Sequence, residues 1–158
     1  MSLEGIPAFY IHSMLATPND HMQVARRGMN RAINRHRWDY PTLNALLDDP
    51  ATVQSQVLGA LSDRLGIRAR QPAFHPNATQ FTMQLDNRIF GVWRQSLDRH
   101  QSIFALHNVS NETVEVSFAT MNLIDEDWVD LLSGDPVDTA QETLTLAPYQ
   151  CCWITNRS

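Results

Sequence analysis

Polar and charged side chains that could bind a ligand are concentrated at positions 28–41, which read GMNRAINRHRWDYP. This polar stretch places three arginines, a histidine and two asparagines between two turn signals. A guanidinium group is a planar fork of N–H donors that binds carboxylates, phosphates and sugar hydroxyls. Arg31, Arg35 and His36 are therefore candidate ligand-binding residues. The competing interpretation is a solvated helix face.

The histidines and cysteines predict no metal site and no cofactor. The six histidines show no paired spacing of the kind that metal sites use, and His75 in FHPN is interpreted as a turn residue bonded to the backbone. Cys151 and Cys152 are adjacent, which is poor geometry for a mutual disulfide, and there is no CxxC motif. This cysteine usage predicts a reducing, cytoplasmic location.

Size and charge narrow the class of protein. A chain of 158 residues forms one domain or two small lobes. Its formal charge of -5 and pI near 5.6 argue against nucleic-acid and membrane-surface partners, which require a basic face. No apolar run approaches the roughly 20 residues of a membrane helix.

The elements that must position the polar stretch begin with an apolar run. GIPAFYIHSML at positions 5–15 is predicted to be a strand buried on both faces, as in a parallel sheet. Three helices should follow: one capped by Thr17 and stopped by Gly28, one over Pro41–Asp48, and one capped by Asp49 and ended by Gly66.

From about residue 73 the apolar period changes from helical to two. Short alternating strands are predicted at FTMQL, IFGVWRQSL, QSIFALHNV, VEVSF, DWVDLL, TLTL and YQCCWIT, with turn signals between them. The fold class is therefore α+β. Residues 1–72 would form the last strand and helices of a (β/α)8 barrel, and residues 73–158 an antiparallel β-sandwich.

Four segments in order resemble sucrose-phosphorylase-like enzymes of glycoside hydrolase family 13, in the α-amylase superfamily. They are GIPAFYIHSMLATPND, GMNRAINRHRW, QPAFHPNATQ and the ending DLLSG…LTLAPYQCCWI. The resemblance covers essentially the whole chain and corresponds to the last third of those enzymes. PAFHPNA is more similar to the branch that acts on glucosylglycerate or phosphorylated sucrose than to the simplest sucrose phosphorylases.

The resemblance implies a parent enzyme that transfers a glucosyl unit from a sucrose-like donor to inorganic phosphate through a covalent glucosyl-enzyme. The family places its nucleophilic Asp, its acid/base Glu and a third Asp after barrel strands four, five and seven. This chain should begin at strand eight. We therefore expect no catalytic residue in it and no activity of the isolated chain, whereas the parent would bind the glucoside and phosphate.

The same resemblance implies where the polar stretch lies in the fold. NRAINRH follows the last barrel strand and faces the substrate end of the barrel. Arg31 matches the family arginine that contacts the glucosyl unit beside the nucleophile, and Arg35 and His36 are nearby candidates without an assigned role. Where the family has an acidic residue after this arginine, the chain has Ala32.

Two other function classes stay open on the sequence. One is a carbohydrate-binding β-sandwich, which requires exposed aromatic side chains in a line on one sheet face. The other is a structural or protein-interaction module. For any of these, an apolar strand left without its neighbours predicts self-association.

Overall fold

The computed structural model describes residues 1–121, 123 and 127–156. The chain divides into two compact units, one of residues 7–66 and one of residues 1–6 together with 67–158. Helices fill the first unit and two antiparallel sheets the second, which confirms the predicted α+β class. The domain division after residue 72 stays a prediction.

The helices are short apart from the last one. Their bounds are α1 Ile11–Met14, α2 His21–Arg27, α3 Tyr40–Asp48 and α4 Val53–Ala69, with 3₁₀ helices at Asn30–Asn34, Pro72–Phe74 and Phe118–Thr120. No helix in the described ranges is long and apolar enough to cross a membrane.

Side-chain caps fix where α2 and α3 begin. The Asp20 carboxylate accepts a hydrogen bond from the Gln23 N–H at 2.9 Å, and Asp39 does the same for Thr42. Gly28 ends α2 with a left-handed φ of 64°, as predicted. The prediction that Thr17 caps α2 was wrong, because Asp20 occupies that position.

The ends of α4 also differ from the prediction. The hydroxyl of Thr52 accepts from the Ser55 N–H, so the helix begins after Thr52 and not after Asp49. Asp49 instead accepts from the Ala51 N–H in the preceding turn. The helix runs through Gly66 to Ala69, since one glycine in a helix costs only about 1 kcal/mol.

The predicted strand at positions 5–15 does not form. No residue from 5 to 15 is in a strand, and Ile11–Met14 is one turn of helix. A buried parallel strand needs neighbours on both edges to accept and donate its backbone hydrogen bonds. None of the described residues pairs with this segment, so its apolar pattern alone does not produce a strand.

The second unit contains seven strands in two sheets. Their bounds are β1 Thr79–Thr82, β2 Ile89–Gln95, β3 Ser102–Asn108, β4 Val114–Ser117, β5 Val129–Asp130, β6 Thr143–Leu146 and β7 Cys151–Thr155. One sheet has the order β1-β2-β3-β7-β5 and the other pairs β4 with β6, all antiparallel. Each predicted strand overlaps an observed one, although β1 ends at Thr82 and not at residue 85, and β5 contains only two residues.

Both faces of the five-stranded sheet are packed. On the face that includes Phe104 and Ile154, the side chains join a core with the β4–β6 sheet. On the other face, Ala105 and Trp153 pack with Phe74 from the 3₁₀ helix before β1. The central strand β3 is consequently buried along most of its length.

Candidate functional site

The polar stretch lies in the helical unit, around the 3₁₀ helix Asn30–Asn34. Arg31 is on this helix, and Arg35 and His36 follow its last residue. Ala32 is buried and fixes which face of the 3₁₀ helix is turned inward. Arg31 and Arg35 are exposed, and His36 is half-buried.

Two hydrogen bonds from earlier in the chain hold the 3₁₀ helix. The hydroxyl of Tyr10 donates to the carbonyl of Asn34 at 2.6 Å. The backbone N–H of Asp20 donates to the carbonyl of Ile33 at 2.7 Å. Residues 10 and 20 therefore anchor the C-terminal end of the helix, directly before Arg35.

Asp20 carries a second role beside its cap. Its free oxygen lies 3.3 Å from Nδ1 of His36. The pKa of Asp20 is lowered first by the backbone N–H of Gln23 and further by His36 and Arg26. The carboxylate is thus ionised at neutral pH and only accepts, so Nδ1 of His36 carries the proton and Nε2 of a neutral ring is left as an acceptor.

A second set of contacts fixes the other side of His36. Nε1 of Trp38 donates to the hydroxyl of Thr17 at 2.9 Å, and the same hydroxyl lies 3.1 Å from Nδ1 of His12. The rings of His36 and Trp38 meet edge to face, with centroids 4.7 Å apart. The imidazole is therefore held between a carboxylate and an indole.

The two arginines are not used by this network. In the described part of the chain, neither Arg31 nor Arg35 makes a side-chain hydrogen bond or an ion pair. Their guanidinium groups keep all their donors for a ligand or for water. The site thus combines a braced backbone and imidazole with two uncommitted cations, an arrangement suited to binding sugar hydroxyls or an oxyanion.

Sequence reasoning named the ligand-facing candidates but missed the residues that support them. The sequence assigns Thr17 only a helix cap, and it indicates no supporting role for Asp20 or Trp38. Their contacts join residues 16 to 21 positions apart, so no local spacing reveals them. The turn role of His75 is confirmed, because its Nδ1 accepts from the Asn77 N–H. The described residues contain no group of three metal-binding side chains.

The sequence of this chain was compared with those of characterised proteins. No family model matches the chain. Glucosylglycerate phosphorylases from Allomeiothermus silvanus, Escherichia coli and Spirochaeta thermophila are 34%, 32% and 30% identical to it, each over 98% of its length. The chain is a relative of the glucosylglycerate phosphorylases. The predicted resemblance to sucrose-phosphorylase-like enzymes is confirmed. The chain spans about a quarter of these relatives, 25%, 26% and 28% of their lengths.

Solved structures agree on the fold. An α-amylase from Anoxybacillus superposes on 78% of this chain with a TM-score of 0.58 and 12% identity. AmyP, solved in complex with maltose, superposes on 66% of this chain with a TM-score of 0.54 and 18% identity. The chain covers 25% and 21% of these proteins. These proteins therefore share the fold of this chain.

Proposed function

We propose that this chain is the C-terminal portion of a phosphorylase that transfers a glucosyl unit from a glucoside to inorganic phosphate. The observation that carries the proposal is 34% identity to a glucosylglycerate phosphorylase over 98% of the chain. The substrate proposed first is glucosylglycerate. Sucrose 6'-phosphate and sucrose are the alternatives that the resemblance leaves open.

In such a reaction the carboxylates that attack the anomeric carbon and protonate the leaving oxygen come from the preceding barrel. The part proposed for this chain is substrate positioning. Arg31 would hold hydroxyl groups of the glucosyl unit, because its exposed guanidinium group has no competing partner among the described residues. Arg35 and His36 would line the same end of the site.

His36 supports this assignment through its geometry. With Nδ1 directed at the Asp20 carboxylate, a neutral ring has Nε2 available to accept a proton from a sugar hydroxyl. Arg31 and Arg35 can donate to hydroxyl oxygens of the same ligand. Donors and an acceptor on one braced segment match the two-sided hydrogen bonding of a sugar hydroxyl.

The test uses the complete protein that contains this chain. Incubation with glucosylglycerate and inorganic phosphate should release glucose 1-phosphate, measured by a coupled assay, and parallel reactions with sucrose 6'-phosphate and sucrose would rank the donors. The 158-residue chain alone should release none. If the complete protein gives no glucose 1-phosphate from any of the three donors, the proposed reaction is wrong.

A further inference from the structure

A second concave surface lies on the β unit, separate from the Arg31 segment. It is a groove of about 550 Å³. Part of its lining comes from a row of aromatic residues that are register partners on three strands. Phe81 of β1 is opposite Trp93 of β2, and Trp93 is opposite Phe104 of β3.

The rings in this row are in contact. The centroids of Phe81 and Trp93 are 4.8 Å apart, and those of Trp93 and Phe104 are 5.7 Å apart with the planes 21° from parallel. Trp128 extends the row, 5.7 Å from Phe104. The inner end of this aromatic row is buried, whereas Phe81 at its outer end is 45% exposed. An exposed aromatic face inside a concavity is a stacking surface for the apolar face of a ring ligand.

The two tryptophans of the row differ in their hydrogen bonds. Nε1 of Trp93 donates to the hydroxyl of Ser102 at 3.0 Å. Trp128 is only 7% exposed, and its Nε1 has no partner among the described residues. Because this nitrogen is itself buried, the polar contacts available to a ligand in the groove come from other side chains.

The remaining polar groups of the groove suit a ligand with many hydroxyls. The side chains of Gln84 and Arg99 line it and make no hydrogen bond or ion pair with described residues. The hydroxyl of Ser102 accepts from Trp93 and keeps its own proton to donate. None of the described lining residues is acidic. Among these described side chains the donors outnumber the acceptors, and Phe81 supplies the apolar contact.

We propose that this groove binds a pyranose ring of a carbohydrate. The ring would stack its C–H face on Phe81, and its hydroxyl groups would bond to the side chains of Gln84 and Arg99. This is a carbohydrate site in addition to the one proposed around Arg31. It requires no catalytic residue and no reaction at the groove.

The binding test is a ¹⁵N-correlation NMR titration of the 158-residue chain with maltotriose, following the indole N–H signals. The chain has four tryptophans, so four signals are expected and each is assigned with a Trp→Phe variant. Maltotriose should shift the signals of Trp128 and Trp93 saturably, with a Kd in the millimolar range, about 1–10 mM. Mannitol, which has hydroxyls but no ring, should shift neither.

Trp153 is an internal control. Its Nε1 also has no partner among the described residues, but the ring packs on the other sheet face and is not among the residues that line the groove. Trp38 reports on the Arg31 segment. Shifts confined to Trp38 would place sugar binding there and overturn the groove site without touching the proposed phosphorylase function. Absence of any shift at about 50 mM maltotriose would overturn the groove site as well.

A matched pair of variants tests the stacking surface. Phe81→Ala should weaken maltotriose binding about 5-fold or more, whereas Phe90→Ala should leave it unchanged. Phe90 is 42% exposed on the neighbouring strand and does not line the groove. Equal affinity of the Phe81→Ala and Phe90→Ala variants would overturn the proposal.

Discussion

For Arg31, the family resemblance suggests a role and the structure shows the surroundings of the side chain. The resemblance supplies a role in contacting the glucosyl unit. The structure supplies an exposed guanidinium group on a 3₁₀ helix whose C-terminal end is anchored by Tyr10 and Asp20. A side chain on a braced backbone loses less conformational freedom on binding than one on a loose loop.

In the complete protein, Arg31→Ala and Arg31→Lys should both lower kcat/KM for glucosylglycerate phosphorolysis about 10- to 100-fold. This is the range expected when a charged hydrogen bond worth about 1.5–3 kcal/mol is lost. The lysine variant should not rescue activity, because an ammonium group lacks the planar donor fork. Steady-state kinetics with both substrates measure the effect.

The control is Arg27→Ala, which removes an exposed arginine from the last turn of α2. Its kcat/KM should equal that of the unmodified protein within about twofold. If Arg27→Ala lowers activity as much as Arg31→Ala, the effect belongs to general charge and not to a sugar contact. If Arg31→Ala is fully active, the assigned role is wrong.

Cys151 and Cys152 are neighbours on β7 with opposite surroundings. Cys152 is buried, and burial together with the charge of Asp130 raises the pKa of its thiol well above the usual value. Cys151 is exposed, and its Sγ lies 3.1 Å from Nδ1 of His107. Because the thiolate is the reactive form, the two thiols should differ strongly in rate.

A thiol-reactive chromophore such as dithionitrobenzoate should modify one thiol per native chain quickly and the second at least about 100-fold more slowly. Cys151→Ser should abolish the fast phase, and Cys152→Ser should retain it. In denaturant both thiols should react at similar rates. Two equal fast phases from the native protein would contradict the assigned environments.

At the scale of single residues, the sequence predicts which residues could bind a ligand better than it predicts their hydrogen-bond partners. The candidate ligand-binding residues could be named because arginine and histidine types and the family resemblance point to them. The bond from Asp20 to His36 and the bond from Trp38 to Thr17 could not be named, because they depend on how a helix start and a later loop meet. Such contacts arise only from the folded backbone.

At the scale of elements, alternation predicted the β module well and failed for the first apolar run. β2, β3 and β7 pair with neighbouring strands in one sheet, so the alternating apolar pattern of their sequences agrees with the structure. Residues 5–15 have an equally apolar pattern but no strand beside them among the described residues. A strand forms only when a neighbouring strand accepts and donates its backbone hydrogen bonds, and the sequence of one segment does not show whether such a neighbour exists.

Arg94 on β2 shows how the N-terminal residues are joined to the β unit. It is fully buried, and it donates to the carbonyls of Ser2, His75 and Ala78 at 3.2, 2.9 and 3.4 Å. No carboxylate forms an ion pair with it among the described residues. Burial lowers the pKa of its guanidinium group, and the charge of Arg68 lowers it further.

Arg94→Lys should therefore lower the free energy of unfolding by about 3 kcal/mol, because a single ammonium group cannot reach three carbonyls that the fork satisfies. Urea unfolding followed by tryptophan fluorescence measures the change. Arg64→Lys is the control. Arg64 is exposed on α4, and its one side-chain bond to a described residue is to the Ala60 carbonyl, so its variant should stay within about 0.5 kcal/mol. Equal stability of both variants would contradict this role.

At the scale of the whole molecule, several apolar residues close together near the N-terminus are among those that the fold leaves exposed. Ile6 is 84% exposed, Ile11 is 56% exposed, and Phe9 and Tyr10 are also exposed. Contiguous exposed apolar residues are uncommon on monomeric proteins and indicate a surface that another polypeptide covers. In the proposed full-length enzyme that covering would come from the rest of the barrel.

The 158-residue chain should therefore self-associate, with a sedimentation coefficient that rises with concentration. The double variant Ile6→Asp, Ile11→Asp should shift it toward the monomer, because burying a carboxylate at the contact costs more than the apolar contact returns. Val109→Asp is the matched control, since Val109 is 60% exposed but lies beyond the end of β3. A chain that stays monomeric up to about 1 mM would contradict the prediction, and so would an equal effect of Val109→Asp, because the contact would then not involve residues 6–11.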